Sequence, residues 1–376
     1  MVKRAVAGAL AAVVAVGLAA CSSDEPAAPA APAAPGPRAV YVTNWASDTI
    51  AEFGLNEDGS LKSPAISLPV GKGDTHPQAS IRSRDGKWLY VGNWGTRDVT
   101  PFRIGADGRL TAFPAAHGPA PEPVTPSGIA LSPDGKNLYT ANFSNGGGGT
   151  VSHYRISADG LPHGVATIPA HGRGTTALAV APDGRTLVTA NSASGDISTF
   201  TVAIDGSLAW VTTVATGKGA FFVAITPDSA HVLVTNSLAD SISYLTLGAG
   251  ARPALVSTVP NPADEPRGLV LTAKGDRAYV ANFANGTGPG HITTFTVTAA
   301  GLRQAGPAVA TGGNGAEGIA LSHNGRSLYN ANFNTNGDGS VTTYPLAADG
   351  SVGTPRPPVL TGGRQPDLTS ITLPAS

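Results

Sequence analysis

The sequence predicts an all-β ring of seven four-stranded blades, a β-propeller, and two recurring phrases carry that expectation. One is a short apolar strand ending in Asn. It returns as YVTN at 41–44, YVGN at 90–93, YTAN at 139–142, VTAN at 188–191, LVTN at 233–236, YVAN at 279–282 and YNAN at 329–332. The terminal Asn residues are 49, 49, 49, 45, 46 and 50 residues apart, which suits about four short strands and their turns. The other phrase is a hairpin running into that strand, as in GIALSPDGKNLY (128–139) and ALAVAPDGRTLV (177–188), with apolar residues on both sides of a tight corner.

Taken in chain order, residues 1–21 read as a targeting segment rather than part of the fold. Lys3 and Arg4 precede an uncharged Ala/Val/Leu/Gly stretch that ends in Leu18-Ala19-Ala20-Cys21, similar to a bacterial lipobox. Cys21 is the only cysteine, so lipid attachment there leaves none for a disulfide. Residues 22–38 are rich in Pro and Ala and have nothing to bury, so they are expected to form an extended tether. The expected location is extracytoplasmic, lipid-anchored to a bacterial membrane, with the propeller spanning 39–376.

Within each blade the hairpin supplies strand A, the Asn-terminated strand is B, and β-branched runs such as ISTFTV (197–202) supply C. A weaker strand D follows. Six strand A phrases accompany seven Asn strands. The missing one is Asp367–Leu373, so the last blade is expected to combine three N-terminal strands with the C-terminal strand, closing the ring without an open edge. A ring closed by its own chain is expected to be a monomer. The 48 glycines and 31 prolines fall in the corners of this scheme rather than signalling disorder.

Charge excludes one class of partner. With 24 basic and 25 acidic residues and 13% charged overall, nothing provides a field for nucleic acid. His153, His163, His171 and His231 are dispersed without ligand spacing. Asn334, Asn336 and Asp338 alternate as in a calcium loop but lack a distal Glu, so a glycine-rich turn is expected, with no metal and no cofactor. The seven repeated Asn residues are expected to cap the turn after strand B, and Tyr90, Tyr139, Tyr154, Tyr279 and Tyr329 to pack blade against blade.

A site is expected where the A strands begin around one mouth of the central channel. Alignment places Gln78, Ser127, Thr176, Phe221, Arg267, Glu317 and Asp367 there, with His76, Thr125, Gly174, Gly219, Glu265, Gly315 and Gln365 two residues earlier. The polar members His76, Gln78, Glu265, Arg267, Glu317 and Asp367 belong to blades adjoining the closure. Such a set could bind a polar ligand or perform acid–base work, or it could be a hydrated mouth whose charges pair with one another. Three longer B–C loops, 142–150, 282–291 and 332–340, each begin Asn-Phe and overhang this face.

Across about 39–373 the chain resembles the YVTN-repeat propellers and the related seven-bladed lactonase family, including 6-phosphogluconolactonase-like and carboxymuconate-cyclase-like proteins. The resemblance implies Glu265-Pro266-Arg267-Gly268 at the start of one strand A, where the family has Arg-His, and Asn282-Phe283 where it has Asn-Glu. Arg267 carries over; the His and Glu are replaced by Gly268 and Phe283. Of a family Pro-His-x-His run, His76-Pro77 remains. Two functions follow as expectations. One is a propeller that binds a small polar ligand, a glycan or an envelope protein through Gln78, Glu265, Arg267, Glu317 and Asp367. The other is a lactone hydrolase in which Glu317 or Asp367 activates water, Arg267 stabilises the oxyanion and His76 relays the proton. An extracytoplasmic location and few basic residues at the rim disfavour a sugar phosphate.

Overall fold

The computed structural model describes residues 39–118, 125–145, 147–335 and 337–372, with side chains through Pro366. The targeting segment 1–21 with Cys21, and the tether 22–38, lie outside the described residues. So do Asn336 and the side chain of Asp367.

Seven antiparallel sheets follow one another around a ring. Blade 1 is the composite: strand A is Pro366–Thr372, B is Ala39–Asn44, C is Thr49–Gly54 and D is Ile66–Pro69. The expected closure is therefore present, with Val42 paired to Ile371. The innermost A strands of blades 2 to 7 are Pro77–Arg82, Thr125–Leu131, Thr175–Val180, Ala220–Ile225, Pro266–Leu271 and Ala316–Leu321. Their B strands are Trp88–Asn93, Asn137–Phe143, Thr186–Asn191, His231–Asn236, Arg277–Asn282 and Ser327–Asn332.

The core is divided among the seams between blades. Seven apolar clusters occupy the seven seams, one joining Tyr41 and Ile50 of blade 1 to Leu89 and Phe102 of blade 2, another joining Val40 and Phe53 to Tyr329 and Val341 of blade 7. Alternation along B and C strands makes this possible, because each strand sends side chains to the blades on both sides. Burying one such side chain is worth about 1.5–3 kcal/mol, so the seams hold the ring without a disulfide.

Each seam is also fastened by a hydroxyl. Tyr41, Tyr90, Tyr139, Tyr279 and Tyr329 donate to the carbonyls of Gly108, Gly160, Gly206, Gly350 and Gly59, each in the C–D corner of the next blade. Blades 4 and 5 have Val188 and Leu233 at this position. There Thr199 donates to Ala251 and Tyr244 to Thr298 instead. Of the expected tyrosines, Tyr90, Tyr139, Tyr279 and Tyr329 thus pack the seams and also hydrogen-bond across them, while Tyr154 packs in the seam between blades 2 and 3 without such a bond.

The repeated Asn residues do something different from capping a turn. Asn93 donates to Asp98 and Thr100, Asn191 to Asp196 and Ser198, Asn236 to Ser241 and Ser243, and Asn332 to Ser340 and Thr342. The amide ties B to the first polar side chains of C. A fully buried amide needs partners, and the Ser/Thr residues that open each C strand supply them.

Candidate functional site at the channel mouth

Every A strand begins beside the carbonyl end of its own B strand, and the backbone there follows one pattern. Gly174, Gly219 and Gly315 adopt left-handed φ of 64°, 72° and 64° just before their A strands. The carbonyl of each corner residue accepts the N–H that follows the repeated Asn: Ser192 to Gly174, Ser237 to Gly219 and Phe333 to Gly315, all at 2.8 Å. His76, Glu265 and Gln365 take the same corner with φ of 44°, 53° and 53°, bonded to Trp94, Phe283 and Trp45. Left-handed backbone costs a residue with a Cβ about 1–2 kcal/mol, so three blades keep a side chain where glycine would be cheaper. In blade 3 Thr125 donates its hydroxyl to the Phe143 carbonyl instead.

Those three side chains are tied into the neighbouring loops. Glu265 Oε2 accepts the Asn285 N–H at 2.5 Å. Thr335 of blade 7 donates to the Gly286 carbonyl at 2.7 Å, and Gln365 Nε2 donates to the Thr335 carbonyl at 3.4 Å. The Trp45 backbone N–H donates to the Gln365 carbonyl, and the Trp45 ring lies 4.7 Å from that of His76, whose backbone N–H donates to Asp48 Oδ1 at 2.7 Å. A belt of contacts therefore runs from blade 6 through 7 and 1 to blade 2.

Inside this belt the aligned residues near the start of the A strands touch from blade to blade. Ser127 donates to the Thr176 carbonyl and Thr176 to that of Phe221. The Arg267 guanidinium lies 4.7 Å from the centre of the Phe221 ring and 3.4 Å from that of Phe283. Its Nη1 donates to Glu317 Oε1 at 2.8 Å, and Glu317 is 1% exposed. Arg267 is thus clamped by an ion pair and two cation–π contacts. Among the described residues, Gln78 Oε1 and Arg267 Nε are buried without a hydrogen-bond partner.

The expected set is therefore only partly convergent. Arg267 and Glu317 meet. Gln78 is reached through its carbonyl by Thr43, Glu265 serves the Asn285 loop, and the His76 ring is against Trp45. None of the described contacts of His76 is with Arg267 or Glu317, and Asp367 lies outside the described side chains. At Gly268 a Cβ would come within 2.4 Å of the Glu317 carbonyl oxygen, so the backbone leaves no room for a side chain there.

The sequence reading noted Asn-Phe at the start of three loops but missed the aromatic series around the mouth and its pairing across seams. The residue after each repeated Asn is Trp45, Trp94, Phe143, Ser192, Ser237, Phe283 or Phe333. Five of these seven are aromatic, and they pair across seams: Trp94 with Phe143 at 5.2 Å and Phe283 with Phe333 at 5.3 Å. Reading one position beyond the repeat would have found them. Of the alternating run, Asn334 donates its amide N–H to the Asp338 carbonyl and accepts from the Asn314 N–H, while Asn336 lies outside the described residues. Among the described residues no three His, Cys, Asp or Glu side chains gather as a metal site.

Comparison with known proteins agrees with this architecture. No curated protein matches the chain. Among solved structures, the periplasmic gluconolactonase of Pseudomonas aeruginosa is similar with a TM-score of 0.74 and 21% identity, over 90% of this chain and 99% of that one. A protein from Bacteroides fragilis, proposed to be a 6-phosphogluconolactonase, gives 0.62 and 23% over 74% and 83%. Hydrazine synthase of Kuenenia stuttgartiensis gives 0.64 and 20% over 84% and 97%, so the same ring serves unrelated chemistry. The family model described as Lactonase, 7-bladed beta-propeller matches residues 114–221, less than half of the chain, and the chain is a seven-bladed β-propeller.

Proposed function

We propose that the chain binds a small polar ligand at the channel mouth and does not hydrolyse it. The observation that carries this reading is the state of Arg267. Its guanidinium is covered by Phe283, paired with buried Glu317 and flanked by a residue with no space for a side chain. Such an arginine is a fixed donor and electrostatic anchor. Its carboxylate partner is held in an ion pair, away from the solvent that a general base must activate. The orphaned Gln78 acceptor, together with the half-buried Trp45 and Trp94, gives a polar, partly aromatic lining suited to a sugar-like ring.

The same proposal places the protein outside the cytoplasm, attached through lipid on Cys21 and held off the membrane by the tether. The periplasmic similarity supports that placement. It also favours lactone hydrolysis as the second reading, with Glu317, Asp367, Arg267 and His76 in the roles given above.

The test is calorimetric titration of the purified protein with gluconate, glucose and glucono-lactone, beside proton release with the lactone. Binding without turnover, lost in Arg267→Ala, is expected. Turnover that disappears in both Arg267→Ala and Glu317→Gln, with circular dichroism unchanged, would replace binding by hydrolysis.

A further inference from the structure

Glu317 is aimed at Arg267 by an irregularity in strand A of blade 7. Ala316 pairs with Asn332 and Ile319 with Asn330, so Glu317 and Gly318 together face the single residue Ala331. Such a bulge turns a side chain out of the regular alternation of its strand. Blade 6 repeats the arrangement: Pro266 pairs with Asn282 and Leu269 with Val280, leaving Arg267 and Gly268 opposite Ala281. The ion pair of the mouth is thus made by two neighbouring bulges, with the Glu317 carbonyl filling the space at Gly268.

The two bulges are held differently. The second residue of the repeated phrase is Val42, Val91, Thr140, Thr189, Val234 and Val280 in blades 1 to 6 but Asn330 in blade 7, and all seven are fully buried. The Asn330 amide nitrogen donates to the Gly318 carbonyl at 3.0 Å and to the Ala331 carbonyl at 3.1 Å. Both partners can only accept, which fixes the nitrogen end of the amide on the bulge. One side chain therefore ties both sides of the blade 7 bulge, Gly318 on strand A and Ala331 on strand B.

This is not the stable choice for the seam. Among the described residues Asn330 Oδ1 is buried without a hydrogen-bond partner, and so is Asn332 Oδ1 two residues on. Blades 3 and 4 satisfy the second acceptor with threonine: Thr140 donates to Asn142 Oδ1 at 2.9 Å and Thr189 to Asn191 Oδ1 at 3.4 Å. A buried acceptor left unmade lowers stability, so threonine at 330 would remove both defects. The asparagine instead spends its donor on the residue next to Glu317. We propose that Asn330 is a positioning residue of the channel mouth, locking the blade 7 bulge so that Glu317 holds Arg267 in one orientation. This role rests on the reading of Arg267 as the anchor of that site.

Asn330→Thr and Asn330→Val, made in the full-length protein, test it by urea denaturation and by NMR of the Arg267 guanidinium, assigned with Arg267→Lys. Threonine is expected to raise the urea midpoint. Both variants should speed rotation of the Arg267 guanidinium severalfold, towards the rate in Glu317→Gln, a change that a merely structural role would not produce in a stabilised protein. Rotation as slow as in the wild type, in either variant, would overturn the positioning role. A midpoint lowered by threonine would also overturn it, by making Asn330 an ordinary seam contact. The guanidinium signal needs no ligand, so the two readings fail separately. A wild type that binds neither gluconate, glucose nor glucono-lactone, with rotation changed as expected, would remove the ligand from the mouth and leave Asn330 as the lock of the ion pair alone.

Discussion

Blades 4 and 5 and blades 6, 7, 1 and 2 are built from the same repeat and finish it differently. In the first pair the corner before strand A is glycine and the residue after the repeated Asn is serine: Gly174 with Ser192, and Gly219 with Ser237. In the second group the corner is Glu265, Gly315, Gln365 or His76, and the following residue is Phe283, Phe333, Trp45 or Trp94. The bare arc takes the inexpensive solution to the backbone. The furnished arc carries left-handed side chains and ties them loop to loop. The outer strands add to the contrast. They are continuous in blades 4 and 5, at Leu208–Ala215 and Arg252–Pro260, but split in blades 2 and 6. The seams are built alike around the ring, whereas the left-handed corner side chains among the described residues of the mouth gather on one side.

Substitution at matched positions should expose the difference. Phe283→Ala empties a buried site against Arg267 and Phe333 and is expected to cost about 3–4 kcal/mol. Ser237→Ala, at the same place in the bare arc, removes one hydrogen bond to Gly219 and should cost about 1 kcal/mol. Urea denaturation of both variants measures the gap, and equal losses would erase the distinction between the arcs.

The corners should respond in opposite directions. Gly219→Ala puts a Cβ 2.6 Å from the Leu238 nitrogen at positive φ, for an expected loss of about 2–3 kcal/mol. Gln365→Gly relieves the strained corner at the expense of one long hydrogen bond and should gain about 1 kcal/mol. If the glutamine variant is the less stable, the side chain at that corner is a structural necessity rather than a retained option.

Two smaller effects probe the seams that both arcs share. Tyr90→Phe leaves the Gly160 carbonyl without its hydroxyl and should cost about 1 kcal/mol with no effect on ligand binding. At His153, burial holds the imidazole pKa below its ordinary value, with Nε2 bonded to Asn137 at 2.8 Å. The unfolded chain therefore binds the proton more readily. Stability is full above about pH 6.5, the usual histidine value, and falls as the pH drops below it towards the depressed folded value. His153→Gln should flatten that slope in thermal melts between pH 7 and 5.

The ring was legible in the sequence because its causes are local and repeated. Strand alternation, the corner glycines and the Asn spacing each recur often enough to fix strand order and closure. That Arg267 and Glu317 share the mouth was legible from the alignment of neighbouring inner strands, 50 residues apart; that they lock as an ion pair under the Phe283 ring was not. Gly174, Gly219 and Gly315 did mark the left-handed corner, but its meaning for His76, Glu265 and Gln365 depends on φ values that the spacing alone does not give. Phe283 was read as a lost acid; in three dimensions it is the lid on an arginine.

Blade 1 joins the earliest part of the folded chain to the latest, Val42 lying against Ile371. During synthesis its three outer strands must wait, with an unpaired edge, until every other blade has been made. Closing so long a loop costs chain entropy that only the completed seams on either side can offset. The clasp therefore acts as a completeness check. A chain cut short before Pro366 would keep an open slot with exposed strand edges, a natural substrate for chaperones and proteases, while a full-length chain seals the slot with its own last strand.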